Sequence, residues 1–94
     1  MIVPDSVNVL IEGLLKLKTA DEYSSFLEDV CTIKELQDIA QRFIVACRLN
    51  DGENYNTISA ETGASSATIS RVNKCLLYGN GGYKTVIDRL NEDK

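Results

Sequence analysis

The segment that most restricts the fold runs from Tyr55 to Leu77, YNTISAETGASSATISRVNKCLL. Both halves carry helical spacing, and Gly63 separates them. Ile58 and Thr62 stand four residues apart on one face of the first half, and Asn56 is placed to cap its start by accepting backbone N–H bonds. Glycine tolerates a left-handed backbone, so at Gly63 the chain can turn sharply and restart within three residues. Ser65 or Ser66 then caps a second helix in which Ile69, Val72 and Leu76 form one apolar stripe. Ser66, Ala67, Ser70, Arg71 and Lys74 lie off that stripe. The pattern predicts a helix-turn-helix. Ile58, Thr62, Ala64, Ile69 and Val72 are expected to bury one another at the crossing, with small Ser59 allowing close approach.

An outward face of small polar residues and two cations suits the major groove of double-stranded DNA, because short side chains bring the backbone near the base edges. Ser65, Ser66 and Ser70 offer hydroxyls, Ala67 can touch a thymine methyl, and Arg71 and Lys74 can meet guanine or phosphate. Asn56 completes the candidate contacts from the first helix of the motif. The competing reading is a plain helical hairpin around a glycine turn, which has no DNA to bind.

The run GASSATISRVNKCLLYG resembles the tryptophan repressor superfamily, where a Gly-Ala turn is followed by Ala-Thr-Ile-Thr/Ser-Arg, and within it the YerC/YecD-type TrpR-like proteins. Gly63, Ala64, Ala67, Thr68, Ile69, Ser70 and Arg71 carry the likeness, which extends upstream through CTIKELQDIAQR, Cys31 to Arg42, and loosely over most of the chain. It implies an all-α fold of about six helices in an intertwined homodimer. It also implies a cytoplasmic transcriptional regulator that binds operator DNA, as a repressor. The intertwining rests on the resemblance alone.

Length and charge set limits on that expectation. A single domain of 94 residues buries only about 60 to 65% of its unfolded surface, so a partner subunit would help it. The net charge of -4 is unusual for a binder of polyanions, and its distribution matters more than its sum. Tyr55 to Lys84 sets Glu61 against Arg71, Lys74 and Lys84, so the only net positive segment is the one holding the proposed reading head. With so few cations, two copies on a dimer are needed for useful affinity.

The rest of the chain is helical in pattern. Asp5 or Ser6 is expected to cap a first helix carrying Val7, Leu10, Ile11, Leu14, Leu15 and Leu17. Thr19 with Glu22 and Thr32 with Glu35 form two capping boxes. The first opens a helix lined by Tyr23, Phe26, Leu27 and Val30. The second opens a long helix to about Asn50, whose apolar residues nearly encircle its second half. Such a helix needs cover on all sides, an independent reason to expect a second subunit. Gly52 is the expected left-handed residue after it. Residues 1–50 thus supply the dimerisation helices and 55–77 the helix-turn-helix of one domain, 1–94. A glycine-dense break, residues 78–83, precedes a last helix from Lys84 to about Asn91 with Val86, Ile87 and Leu90 inward. No stretch reaches the ~20 apolar residues of a membrane span, and the start lacks a signal-peptide pattern.

Chemistry is sparse. Cys31, Cys47 and Cys75 show no C-x-x-C spacing, no histidine completes a metal site, and the three thiols are expected to be buried and reduced. No catalytic group is evident, and no cofactor is expected. The resemblance places a small-molecule effector near Arg71, with Arg42 and Thr32 matching a second arginine and a threonine if one gap falls in the loop after Asn50. Val72 stands where the repressor has glycine, and its β-branched side chain would fill the space of an indole ring, so tryptophan or another corepressor is the less favoured alternative. Asn56 and Ser59 replace basic neighbours, so the repressor's operator does not carry over. The alternative function is a protein-docking module that uses the same helix pair without DNA.

Overall fold

A computed structural model describes residues 4–93, and every regular element among them is a helix. The order is α1 (Asp5–Leu14), α2 (Ala20–Val30), α3 (Ile33–Asn50), α4 (Tyr55–Thr62), α5 (Ser66–Tyr78) and α6 (Gly82–Glu92). The chain divides into two compact units between Leu36 and Gln37, in the first turn of α3.

In the first unit, α1 begins one residue earlier than the polar residues suggested. Pro4 is its N-cap, with no side-chain capping bond, and the Pro4 carbonyl accepts the N–H groups of Val7 and Asn8 at 3.0 and 3.3 Å. A fixed proline φ is pre-organised for a helix start, so neither Asp5 nor Ser6 is needed as the cap. The helix also stops sooner, leaving Leu15 and Leu17 outside it. Lys16 and Leu17 donate to Gly13 and Leu14 at 3.1 Å, the tight bonds that commonly end a helix. Tyr23 donates its hydroxyl to the Leu14 carbonyl at 3.3 Å, joining α2 to the end of α1.

Both capping boxes form. Thr19 Oγ1 accepts Glu22 N–H at 3.1 Å while Glu22 Oε1 accepts Thr19 N–H at 3.3 Å, and Thr32 and Glu35 exchange the same bonds at 3.0 and 2.8 Å. Of the apolar residues expected to line α2, Phe26 and Leu27 are half-buried while Tyr23 and Val30 are exposed. No residue of α1 or α2 is fully buried.

The core lies in the second unit. Val45 and Ala46 of α3, Ile58 of α4, Ala64 of the turn, Ile69 and Val72 of α5 and Ile87 of α6 are buried together. Phe43, Cys47, Leu49, Leu76 and Tyr83 pack around them. Thr62, expected inside, is half-buried because its hydroxyl serves the turn described below. Gly52, at φ +87, turns the chain after α3 as expected. The break before α6 is shorter than the glycine run suggested. α5 persists to Tyr78, and Gly81, at φ +83, is already the N-cap of α6, its carbonyl accepting both Thr85 N–H and Thr85 Oγ1–H at 2.9 Å. Gly79 answers to space rather than to φ, since a Cβ there would collide with the carbonyl of Cys75.

Of the three residues expected inward on α6, only Ile87 is. Val86 and Leu90 stay 48% and 47% exposed, because the core meets one narrow line of that helix. The thiols differ from expectation too: none is in a disulfide among the described residues, but Cys31 and Cys47 are half-buried and Cys75 is exposed. Ile69 and Val72 fix which side of α5 faces the core, and Cys75 falls off that line.

Candidate nucleic-acid interface

The region is built from its caps outward. Asn54, not Asn56, is the N-cap of α4: its extended backbone, φ -84 and ψ 161, lets Oδ1 accept Thr57 N–H at 2.9 Å. Two asparagines compete for that role, and the one directly after Glu53 holds the non-helical dihedrals a cap requires. Asn56 is thereby displaced into the first turn of α4, where it is exposed.

The turn is held by a short chain of hydrogen bonds. Gly63, at φ +77, closes α4 and donates its N–H to Ser59 at 3.0 Å. Ser59 donates its hydroxyl to the Ala64 carbonyl at 2.8 Å, so this residue ties the crossing as well as leaving room for it. Thr62 Oγ1 donates to the Ile58 carbonyl at 2.6 Å and accepts Ala64 N–H at 3.2 Å. Ser65 is the cap of α5, its Oγ accepting Thr68 N–H at 3.1 Å. With Ala64, Ile69 and Val72 buried, the register of α5 is fixed.

That register decides which side chains face outward. Asn56, Ser65, Ser66, Ala67, Ser70, Arg71 and Lys74 are all exposed. Five of them, Ser66 to Lys74, share one helix, and Ser65 is its cap. Beyond Leu76 the helix runs past the core, leaving Leu77 and Tyr78 61% and 82% exposed.

Two supports of α4 are absent from any local sequence pattern. Gln41 of α3 donates its side-chain amide to the Thr62 carbonyl at 3.2 Å, satisfying a group at the end of α4. Arg48 donates to Glu61 at 2.6 Å and to Glu53 at 3.2 Å. The hydrogen bond to Glu61 is the main reason the guanidinium pKa lies above its ordinary value. Glu61 is the only acid between Tyr55 and Lys84, and this pair neutralises it. Lys84 meets Asn50 and Asp88 at 3.2 Å, so Arg71 and Lys74 are the cations that remain on the motif. Glu53 could have been paired with Arg48 from their spacing of five, whereas Glu61, thirteen residues on, gave no signal.

The candidate effector residues are distributed differently. Thr32 belongs to the first unit, and its hydroxyl is engaged in capping α3. Arg42 and Arg71 belong to the second unit and are exposed, and neither pairs with an acidic side chain among the described residues. Val72, beside Arg71, is buried in the core. Among the described residues no group of three or more His, Cys, Asp or Glu is placed to hold a metal ion, and no helix is long and apolar enough to cross a membrane.

Comparison with known proteins settles the family. The family model described as Trp repressor protein matches residues 5–91. This chain belongs to the Trp repressor family. It is 49% identical over 83 residues to YerC of Bacillus subtilis, described as an uncharacterized protein, a match covering 88% of this chain and 80% of that one. The solved structure of a TrpR-like protein from Eubacterium eligens superposes with a TM-score of 0.89 at 49% identity, covering 94% of this chain and 91% of that one. A Staphylococcus aureus chain described as a candidate Trp repressor gives the same TM-score at 39% identity, with 95% and 89% covered. The Trp repressor family is one of DNA-binding regulators rather than enzymes, and the six helices seen here are its fold.

Proposed function

We propose that this Trp repressor family chain is a sequence-specific transcriptional regulator that acts as a homodimer, each subunit offering α5 to the major groove of double-stranded DNA. The observation that carries the reading is the split character of α5: Ile69 and Val72 anchor one side in the core while Ser66, Ala67, Ser70, Arg71 and Lys74 stand free on the other. A rigidly seated helix with short outward side chains can approach base edges closely, and its two cations supply phosphate or guanine contacts. Ser65, the cap of α5, and Asn56, in the first turn of α4, are exposed as well and serve as flanking contacts in this proposal. Ser65 Oγ accepts Thr68 N–H and donates to Thr68 Oγ1, both at 3.1 Å, so a hydroxyl contact from it to DNA requires release of the second bond.

Dimerisation is part of the proposal for a physical reason. Two cations per chain, within a net charge of -4, give weak attraction to DNA, and a second copy multiplies it. The exposed apolar residues of α1, among them Val7, Leu10 and Ile11, offer surface for such a partner. No corepressor is required. An effector held at Arg42 and Arg71 of the second unit is the secondary proposal, with tryptophan itself disfavoured by Val72.

The experiment is a selection from random double-stranded DNA at low salt, followed by affinity measurements across ionic strength. The expected result is a palindromic site whose affinity falls steeply with salt. Failure to enrich any palindrome overturns the proposal, and salt-independent binding to a protein instead would establish the docking-module alternative.

A further inference from the structure

Asn80 is the only one of the seven asparagines that is followed by glycine. It stands outside any helix, between the end of α5 at Tyr78 and the start of α6 at Gly82, and both Asn80 and Gly81 are exposed. Neither the Asn80 side-chain amide nor the Gly81 N–H has a hydrogen-bond partner among the described residues. The other six differ. Asn8, Asn50, Asn56, Asn73 and Asn91 lie within helices, and Asn54 has its side chain engaged as the cap of α4. Each of these six is also followed by a residue with a side chain, which hinders approach of the next backbone nitrogen.

From this contrast we propose that Asn80 is a site of spontaneous deamidation, with the Gly81 backbone nitrogen as nucleophile. The nitrogen, losing its proton to hydroxide, attacks the Asn80 side-chain carbonyl carbon and forms a new C–N bond. The adduct's NH2 group takes a proton from water, which returns hydroxide, the C–NH2 bond breaks, ammonia leaves, and a five-membered succinimide results. Water then opens the ring at either carbonyl, giving an aspartyl residue or a β-linked isoaspartyl residue, each with a new carboxylate. Glycine at the following position makes ring closure easy, because it has no Cβ and a permissive backbone.

The two products differ in what they do to α6. An ordinary aspartate places a negative charge just ahead of the helix N-terminus, where the helix dipole favours it. The isoaspartyl form adds one methylene to the main chain directly before Gly81, the residue whose carbonyl holds both Thr85 bonds. That displacement loosens the first turn of α6, the helix that seats Ile87 in the core.

The test uses the full chain. Protein is aged at pH 8 and at pH 6, with circular dichroism showing that it stays folded, then digested, mapped by mass spectrometry and labelled with a protein isoaspartate methyltransferase. The expected result is a gain of one mass unit confined to the peptide holding Asn80, faster at pH 8, labelled by the enzyme, and abolished in Asn80→Gln. Equal or faster conversion at any of the other six asparagines, or an unchanged Asn80 peptide, overturns the assignment. The isoaspartyl fraction, separated by ion exchange, should exchange its Thr85 amide hydrogen faster than fresh protein. Unchanged exchange at Thr85 overturns the proposed effect on α6.

Discussion

Gly63 lies at φ +77 with open space where a Cβ would point, so alanine there strains the backbone without striking a neighbour. Gly63→Ala is therefore expected to destabilise the fold by about 1 kcal/mol, the ordinary cost of a left-handed backbone for an L-residue. Urea unfolding should show a lower midpoint with an unchanged slope. Glu35 offers a test of another kind. The N–H and hydroxyl of Thr32 hold its carboxyl below the ordinary carboxylate range, the backbone bond contributing most. A folded-state pKa that is lowered means stability present above the unfolded value and lost as pH falls through the folded one. An NMR titration following the Thr32 amide proton should thus move with a midpoint below that of a free glutamate. In Glu35→Gln that acid step should vanish.

At the scale of elements, α4 is the shortest helix among the described residues. It has eight residues and one buried side chain, Ile58, and is held from α3 by Gln41 and Arg48. The Arg48–Glu61 pair is partly exposed, at 30% and 52% of the side chains, so a double-mutant cycle with Arg48→Met and Glu61→Gln should return only a small coupling that shrinks further as salt is raised. For α5, replacing Arg71 and Lys74 by alanine should leave folding intact and weaken DNA binding across all sequences. The salt slope should fall by roughly 1 for each phosphate that is no longer neutralised. Much of this architecture is legible in the sequence because it is local. Thr19–Glu22, Thr32–Glu35, the left-handed Gly52 and Gly63 and the Ile69–Val72 stripe each act within a few residues, and each appears where the pattern put it. The choice of Asn54 over Asn56 as a cap, and the early start of α6 at Gly82, turn on one or two residues of helix boundary, where neighbouring candidates are chemically equivalent. Glu61 meeting Arg48, and Gln41 meeting Thr62, depend on two helices converging in space, which no spacing along the chain encodes.

For the whole molecule, the imbalance of apolar burial is the governing fact. Among the described residues seven hydrophobic ones are buried whereas fifteen large ones stay exposed, and α1 and α2 contribute none to the buried set. Burying apolar surface is the main force available to hold helices together, at roughly 25 cal/mol per Å². Two helices, α1 and α2, without one fully buried residue have little of that force from their own chain. The proposed second copy would supply this missing cover and, with it, a second reading head. The proposed homodimer should then sediment at twice the chain mass at micromolar concentration, and its melting temperature should rise with protein concentration, since association stabilises only the folded form. Leu10 and Ile11, 41% and 43% exposed on α1, allow the test to be made by substitution. Changing both to glutamate removes apolar cover and places like charges on the proposed meeting surface, while in the free chain it alters residues that are partly open to water. The expected outcome is a monomer whose melting temperature no longer depends on concentration and whose affinity for any selected palindrome falls at least tenfold, about 1.4 kcal/mol or more, through loss of the second reading head. A double variant that still sediments as a dimer would show that α1 is not the surface through which two chains meet.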